Sequence, residues 1–133
     1  MSRDLVTRYD EIEPFITKDG SIIRELMHPQ SHSVTRQSFA EAEVPPGKET
    51  VLHRHHQSEE LYHIVQGEGL MTLVLTSTDP GNEDNQFAVE AGDSICIPPG
   101  TPHKIQNTGD TPLKILCACS PAYSHDDTEL LGD

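Results

Sequence analysis

Two histidines one residue apart, His53 and His55, are followed by a carboxylate at Glu60. On a helix, side chains at i and i+2 point about 200° apart and cannot share a ligand. On a strand they lie on one face, about 6.6 Å apart along the chain. Two imidazoles can then converge on one ion, at about 2 Å from each nitrogen. A metal site and a strand therefore require each other here. Arg54 and His56 have the opposite parity and point outward. A turn through Gln57 and Ser58 reverses the chain, and an antiparallel return brings a carboxylate beside the histidine pair. Glu60 and Glu59 compete for that place, and only the strand register separates them. Tyr62 shares the parity of Glu60 and faces inward. It is either the proton-transfer group that acid–base chemistry needs besides the ligands or a core aromatic.

Short strands must position these groups, and the composition supplies them. The chain has 133 residues, enough for one domain with a real core. Ten Pro and nine Gly punctuate it at short intervals, while hydrophobic residues make up only 34%. Strands separated by turn signals mark a sandwich or barrel. Ser21–Met27, Gln37–Val44, Thr50–His55, Glu60–Gln66, Leu70–Thr76, Gln86–Glu90, Ser94–Ile97, His103–Asn107 and Leu113–Cys119 read as strands. Gln37–Val44 has a helix as competitor, since Ala and Glu favour one. Ser77–Asn85 reads as a polar loop. Eight to ten strands in one domain fit a small double-sheet barrel or jelly roll. Residues 1–20 read as an N-terminal arm, 21–119 as the barrel and 120–133 as a C-terminal extension.

Charge narrows the function classes. Nine Lys and Arg against 22 Asp and Glu give a net charge of −13. That argues against nucleic acid, which needs a basic face to displace phosphate counterions, and against a polybasic hold on anionic lipid. Apolar runs are far short of a membrane span, and no secretory signal is expected from the opening residues. Three cysteines, Cys96, Cys117 and Cys119, are an odd count at the wrong spacing for a zinc ribbon. Free thiols in a reducing cytoplasm fit them. Cys117 and Cys119 share a strand face as small buried hydrophobes.

Two separated segments together carry a family resemblance. Gly47, five residues, His53, one, His55, four, Glu60, six, Gly67 resembles the first cupin motif throughout. Gly92, five residues, Pro98, one, Gly100, two, His103, three, Asn107 resembles the second. The chain thus resembles a small single-domain cupin. The resemblance implies an all-β fold, the double-stranded β-helix or jelly-roll barrel, with one divalent metal in its mouth and a homodimeric assembly. Apolar strand edges that would otherwise be exposed also favour a dimer. The ligand positions implied are His53, His55, Glu60 and His103. Three imidazoles and a carboxylate suit Mn, Fe, Co, Ni, Cu or Zn. The rigid Pro98–Pro102 turn sets His103, and Asn107 reads as a turn or barrel-closing residue.

Four protein ligands on an octahedral ion leave two positions for a bidentate group. The expected function is Lewis-acid chemistry on a small oxygen-rich metabolite, a sugar acid, keto acid or hydroxy-carbonyl, of lyase or isomerase type. The alternatives are an Fe(II)-dependent dioxygenase and a non-catalytic metal- or metabolite-binding cupin. Arg24, within a mostly apolar strand, is either a substrate-carboxylate contact at the barrel mouth or a solvated edge residue. Gln66, Gln106, His63, Cys96 and Tyr123 are candidate pocket or rim groups. His28, His32 and His125, isolated in sequence, read as surface.

Overall fold

The computed structural model describes residues 5–75 and 85–132. Among them are eleven strands and one 3-10 turn, Tyr9–Glu11. The strands are β1 (Phe15–Ile16), β2 (Ile22–Met27), β3 (Ser38–Val44), β4 (His53–His55), β5 (Glu59–Gln66) and β6 (Glu68–Leu73). They continue with β7 (Gln86–Glu90), β8 (Ser94–Ile97), β9 (His103–Asn107), β10 (Leu113–Ser120) and β11 (Thr128–Leu130). They form two antiparallel sheets, ordered β1-β2-β3-β10-β5-β8 and β11-β4-β9-β6-β7. This is the expected single-domain jelly-roll. No helix among the described residues is long and apolar enough to cross a membrane.

Alternation builds the core. Tyr62 and Ile64 on β5 point inward, as do Leu113, Ile115 and Cys117 on β10 and Ala42 and Val44 on β3. Met71, Leu73, Val89 and Ile105 from the other sheet join the same cluster. Both inner faces thus fill one layer. Ile64, Met71, Ile105 and Leu113 are fully buried, each worth about 1.5–3 kcal/mol of transfer free energy. In Gln37–Val44, where a helix competed, Ser38–Val44 is a strand because β2 and β10 pair with it on both sides.

Several expected boundaries move. The expected strand Thr50–His55 contracts to β4, although Glu49 bridges Gln106. Leu70–Thr76 becomes β6, which starts two residues earlier; Thr76 and residues 77–84 of the expected loop lie outside the described residues. Gly69 explains the early start. A Cβ there would lie 2.6 Å from the Gln106 carbonyl oxygen, so only glycine lets β6 and β9 approach this closely.

The two ends are not appendages. Residues 120–133, expected as an extension, supply β11, which pairs with β4 through Thr128–His55 and Leu130–His53. Asp127 accepts hydrogen bonds from the Gln57 and Ser58 amides and so holds the turn between β4 and β5. In the N-terminal arm, β1 pairs with β2, and the Val51 amide donates to the Asp19 carbonyl. Polar groups of both ends thus satisfy the backbone around β4.

Candidate metal centre

β4 brings His53 and His55 to one face, and its pairing with β9 sets His53 opposite His103. The His53 and His103 ring centroids are 4.2 Å apart, and both lie about 5.5 Å from His55. Gly100 adopts φ +79° in the turn before β9, a conformation costly for other residues. Its amide donates to the His55 carbonyl, tying the turn that carries His103 to β4. The ligating atoms of the three buried histidines lie within 4.8 Å of one another.

Glu60 arrives from the other sheet. The register of β5 against β8 and β10 turns Glu60 inward and leaves Glu59 exposed. Its Oε1 lies 3.1 Å from His55 Nε2 and 3.4 Å from His103 Nε2. The Cys119 thiol donates to its Oε2.

The outer ring nitrogens fix the tautomers. His53 Nδ1–H donates to the Val51 carbonyl at 2.6 Å, and His103 Nδ1–H to the Thr101 carbonyl at 2.9 Å. Thr128 Oγ1 spends its proton on the Ser124 carbonyl, so it accepts from His55 Nδ1–H. In the neutral rings all three Nε2 atoms therefore present bare lone pairs to the interior. His103 Nε2 is buried with no hydrogen-bond partner. Lone pairs and a carboxylate converging without a donor among them form a site that a cation completes, each histidine already oriented from behind. The residues present fit a divalent transition metal, with Nε2 of each histidine and the Glu60 carboxylate as donors.

Burial tunes the titrating groups nearby. Burial, and then the neighbouring His103, lowers the His53 pKa, which favours the neutral, ligating form. Burial works to raise Glu60, but hydrogen bonds from His103 and His55, made when their Nε2 atoms carry protons, outweigh it and hold the carboxyl of the metal-free site down to about 2. Burial and the Glu60 charge push the Tyr62 phenol well above its usual range. The same two causes keep Cys117 and Cys119 as thiols.

The site opens into a cavity with an empty volume of about 640 Å³, counting the solvent at its mouth. Tyr62 and Tyr123 are in its wall. Of the other rim candidates, Gln66, Gln106, His63 and Cys96 are exposed and outside the lining. Arg24 is corrected: it pairs with Glu41 and Glu43 at 3.3 Å and stacks over Tyr9. It does not line the cavity because the alternation of β2 gives Ile23 and Glu25 to that face. His28, expected on the surface, is buried in the lining, its Nε2–H donating to the Tyr123 carbonyl. Arg54 and His56 point outward to Glu129, as parity requires.

Sequence reasoning missed Asp19 and Thr128. Asp19 lines the cavity with Oδ2 at 3.5 Å from His53 Nε2. Its Lys18-Asp19-Gly20 setting signals a turn, but nothing local says where that turn sits. Thr128 had no signal before β11 was known.

A family model described as Cupin domain matches residues 40–119. An uncharacterized protein of Methanocaldococcus jannaschii is 56% identical over 125 residues, covering 94% of this chain and 93% of that protein. The oxalate-binding protein of Thermotoga maritima is 36% identical over 78 residues, 59% of this chain and 57% of that one. Among solved structures, an oxalate decarboxylase of Bacillus subtilis, studied for its Mn(II) centres, superposes with a TM-score of 0.74 at 25% identity. The match covers 93% of this chain, which spans only 31% of the decarboxylase chain.

Proposed function

This chain belongs to the cupin family, and on that premise we propose that it is a metalloenzyme acting on a small oxygen-bearing metabolite. The metabolite is a keto acid, sugar acid or hydroxy-carbonyl, and the chemistry is of lyase or isomerase type. His53, His55, His103 and Glu60 hold one divalent ion. The observation that carries this reading is the meeting of three bare Nε2 lone pairs and a carboxylate, with His103 Nε2 buried and unpartnered. The Mn(II) centres of the decarboxylase and the oxalate named for the Thermotoga relative support an ion that takes chelating oxygen ligands. When bound, the ion supplies Lewis acidity to a ligand oxygen.

The chain's own groups do the rest. Tyr62, protonated throughout the physiological range, donates a hydrogen bond or a proton to ligand oxygen and does not act as a base. Cys117 and Cys119 stay thiols and are unfit as nucleophiles. Phe15 and Ile23 give the cavity wall apolar surface. Three free thiols fit a cytoplasmic location. A homodimer completes the reading. Phe39, Ala118 and Leu61 sit side by side across β3, β10 and β5, with Phe39 and Leu61 exposed. Monomeric elution at micromolar concentration contradicts it.

The test is turnover by metal-reconstituted protein across keto acids, sugar acids and hydroxy-carbonyls, with and without oxygen. Conversion that persists anaerobically and falls at least tenfold in Tyr62→Phe is expected. An oxygen requirement would replace this reading with the Fe(II) dioxygenase. Tight binding of those compounds without turnover would replace it with a binding module.

A further inference from the structure

Asp19 gives the centre a second carboxylate, and the walls of the cavity give it no countercharge. The Asp19 side chain is fixed: Oδ1 accepts from both the Ser21 amide, at 2.9 Å, and the Ser21 hydroxyl, at 2.7 Å. Oδ2 is left facing His53 Nε2 at 3.5 Å. In the neutral ring that nitrogen carries no proton, because the single N–H, at Nδ1, is committed to the Val51 carbonyl. Two acceptors then face each other, an arrangement that a cation or a ligand hydroxyl shared between them would satisfy. Glu60 flanks the cluster beside His55 and His103, while Asp19 flanks it beside His53.

The rest of the lining adds no positive charge. Its carboxylates are Asp19, Glu25 and Glu60, and among the described residues no Lys or Arg lines it. Arg24 is turned away onto Glu41 and Glu43, and Lys18 donates to the His125 and Thr128 carbonyls. His28 is occupied by the backbone: Nδ1 accepts from the Gln30 amide while Nε2–H donates to the Tyr123 carbonyl. The rest of the wall is uncharged: Phe15, Ile23, Ala40 and Ala42 supply apolar surface, and Thr17, Ser38 and Thr128 supply hydroxyls.

We propose that Asp19 is a second acidic group of the metal centre, and that the cavity selects a chelating hydroxy-carbonyl of at most one negative charge with an apolar body. This rests on the metal reading above. A divalent ion between two carboxylates is formally neutral. A dicarboxylate would add two negative charges close to Asp19, Glu25 and Glu60, in a partly desolvated pocket with no cation to receive its far end. A hydroxy-carbonyl offers the same oxygen pair without that second charge and buries its body against Phe15 and Ile23.

The experiment reconstitutes the protein with Co(II) and titrates it with maltol and with oxalate, following the visible cobalt absorption. Asp19→Asn is treated in parallel. The wild-type protein should bind maltol at least tenfold more tightly than oxalate. Asp19→Asn should narrow that ratio by about tenfold, mainly by strengthening oxalate, and should alter the cobalt spectrum before any ligand is added. Should Asp19→Asn fail to fold, Ser21→Ala, which releases Oδ1, should shift the ratio in the same direction. Oxalate preference in the wild type, or a ratio and spectrum unmoved by the substitution, would overturn the proposal while leaving the metal site standing. Failure to bind Co(II) at all would overturn both.

Discussion

Replacing Thr128 by valine removes one hydroxyl and keeps the shape. That hydroxyl accepts His55 Nδ1–H at 2.9 Å and donates to the Ser124 carbonyl at 2.8 Å. Thr128 is buried, so the imidazole N–H loses its partner with little water to replace it, whereas Ser124 is exposed and its carbonyl can turn to solvent. The stability cost is therefore about 1–3 kcal/mol, the usual penalty for one orphaned buried donor. The effect on metal binding is more specific. Without an acceptor at Nδ1, His55 is free to place its proton on Nε2, the atom that faces the site. Loss of such a supporting bond typically costs about 10–100-fold in metal affinity. Competition between protein and a chromophoric chelator for Co(II) measures this directly. Thr128→Val should weaken binding within that range, and Thr128→Ser should restore it. An unchanged affinity in the valine variant, with only a lower melting temperature, would refute the argument that Thr128 sets the His55 tautomer.

Three further outcomes are expected. Asn107 Nδ2 donates to the Val44 and Thr111 carbonyls, and its Oδ1 accepts from the Gly109 amide; Asn107→Ala should cost about 3 kcal/mol in a denaturant titration, with cobalt affinity of the folded fraction unchanged. Gly69→Ala would force a Cβ to 2.6 Å from the Gln106 carbonyl oxygen, so β6 and β9 must separate, and soluble yield should fall sharply on expression. The pH dependence follows from two lowered pKa values. His53 is held below its ordinary 6.5, so its stabilisation is complete above that pH and is lost as pH falls through it. Glu60 is held at about 2 against an ordinary 4.5, so its share is lost between those values on acidification. Melting temperatures of metal-free protein should therefore decline on acidification through these two windows, and a rise on acidification below pH 6.5 would contradict both.

Much of the site could be read from local spacing. The His53–His55 pair needs only the period of a strand, and the strand exists because β9 and β11 pair on its two sides. Glu60 against Glu59 could not be settled that way, because a shift of one residue exchanges the faces. Long-range register decided it. His103 was legible only through the second motif, since no local pattern links it to His53. Asp19 and Thr128 reach the site from the two ends of the chain, 34 residues before His53 and 73 after His55 by their numbering. The last residues read as an extension because polar composition carries no record of a long-range strand pairing. Arg24 was misplaced for a related reason. An arginine in an apolar strand invites a functional role, whereas here Glu41 and Glu43 on the adjacent strand neutralise it.

The central claim is that His53, His55, His103 and Glu60 hold one divalent ion, and metal content tests it most directly. Elemental analysis of the native protein should give about one equivalent of a transition metal, as expected for a single four-donor site. The His53→Ala, His103→Ala double variant, purified in parallel and shown to be folded, should carry none. A native protein that holds no metal and takes up none on reconstitution, or a double variant that retains a full equivalent, would contradict the account.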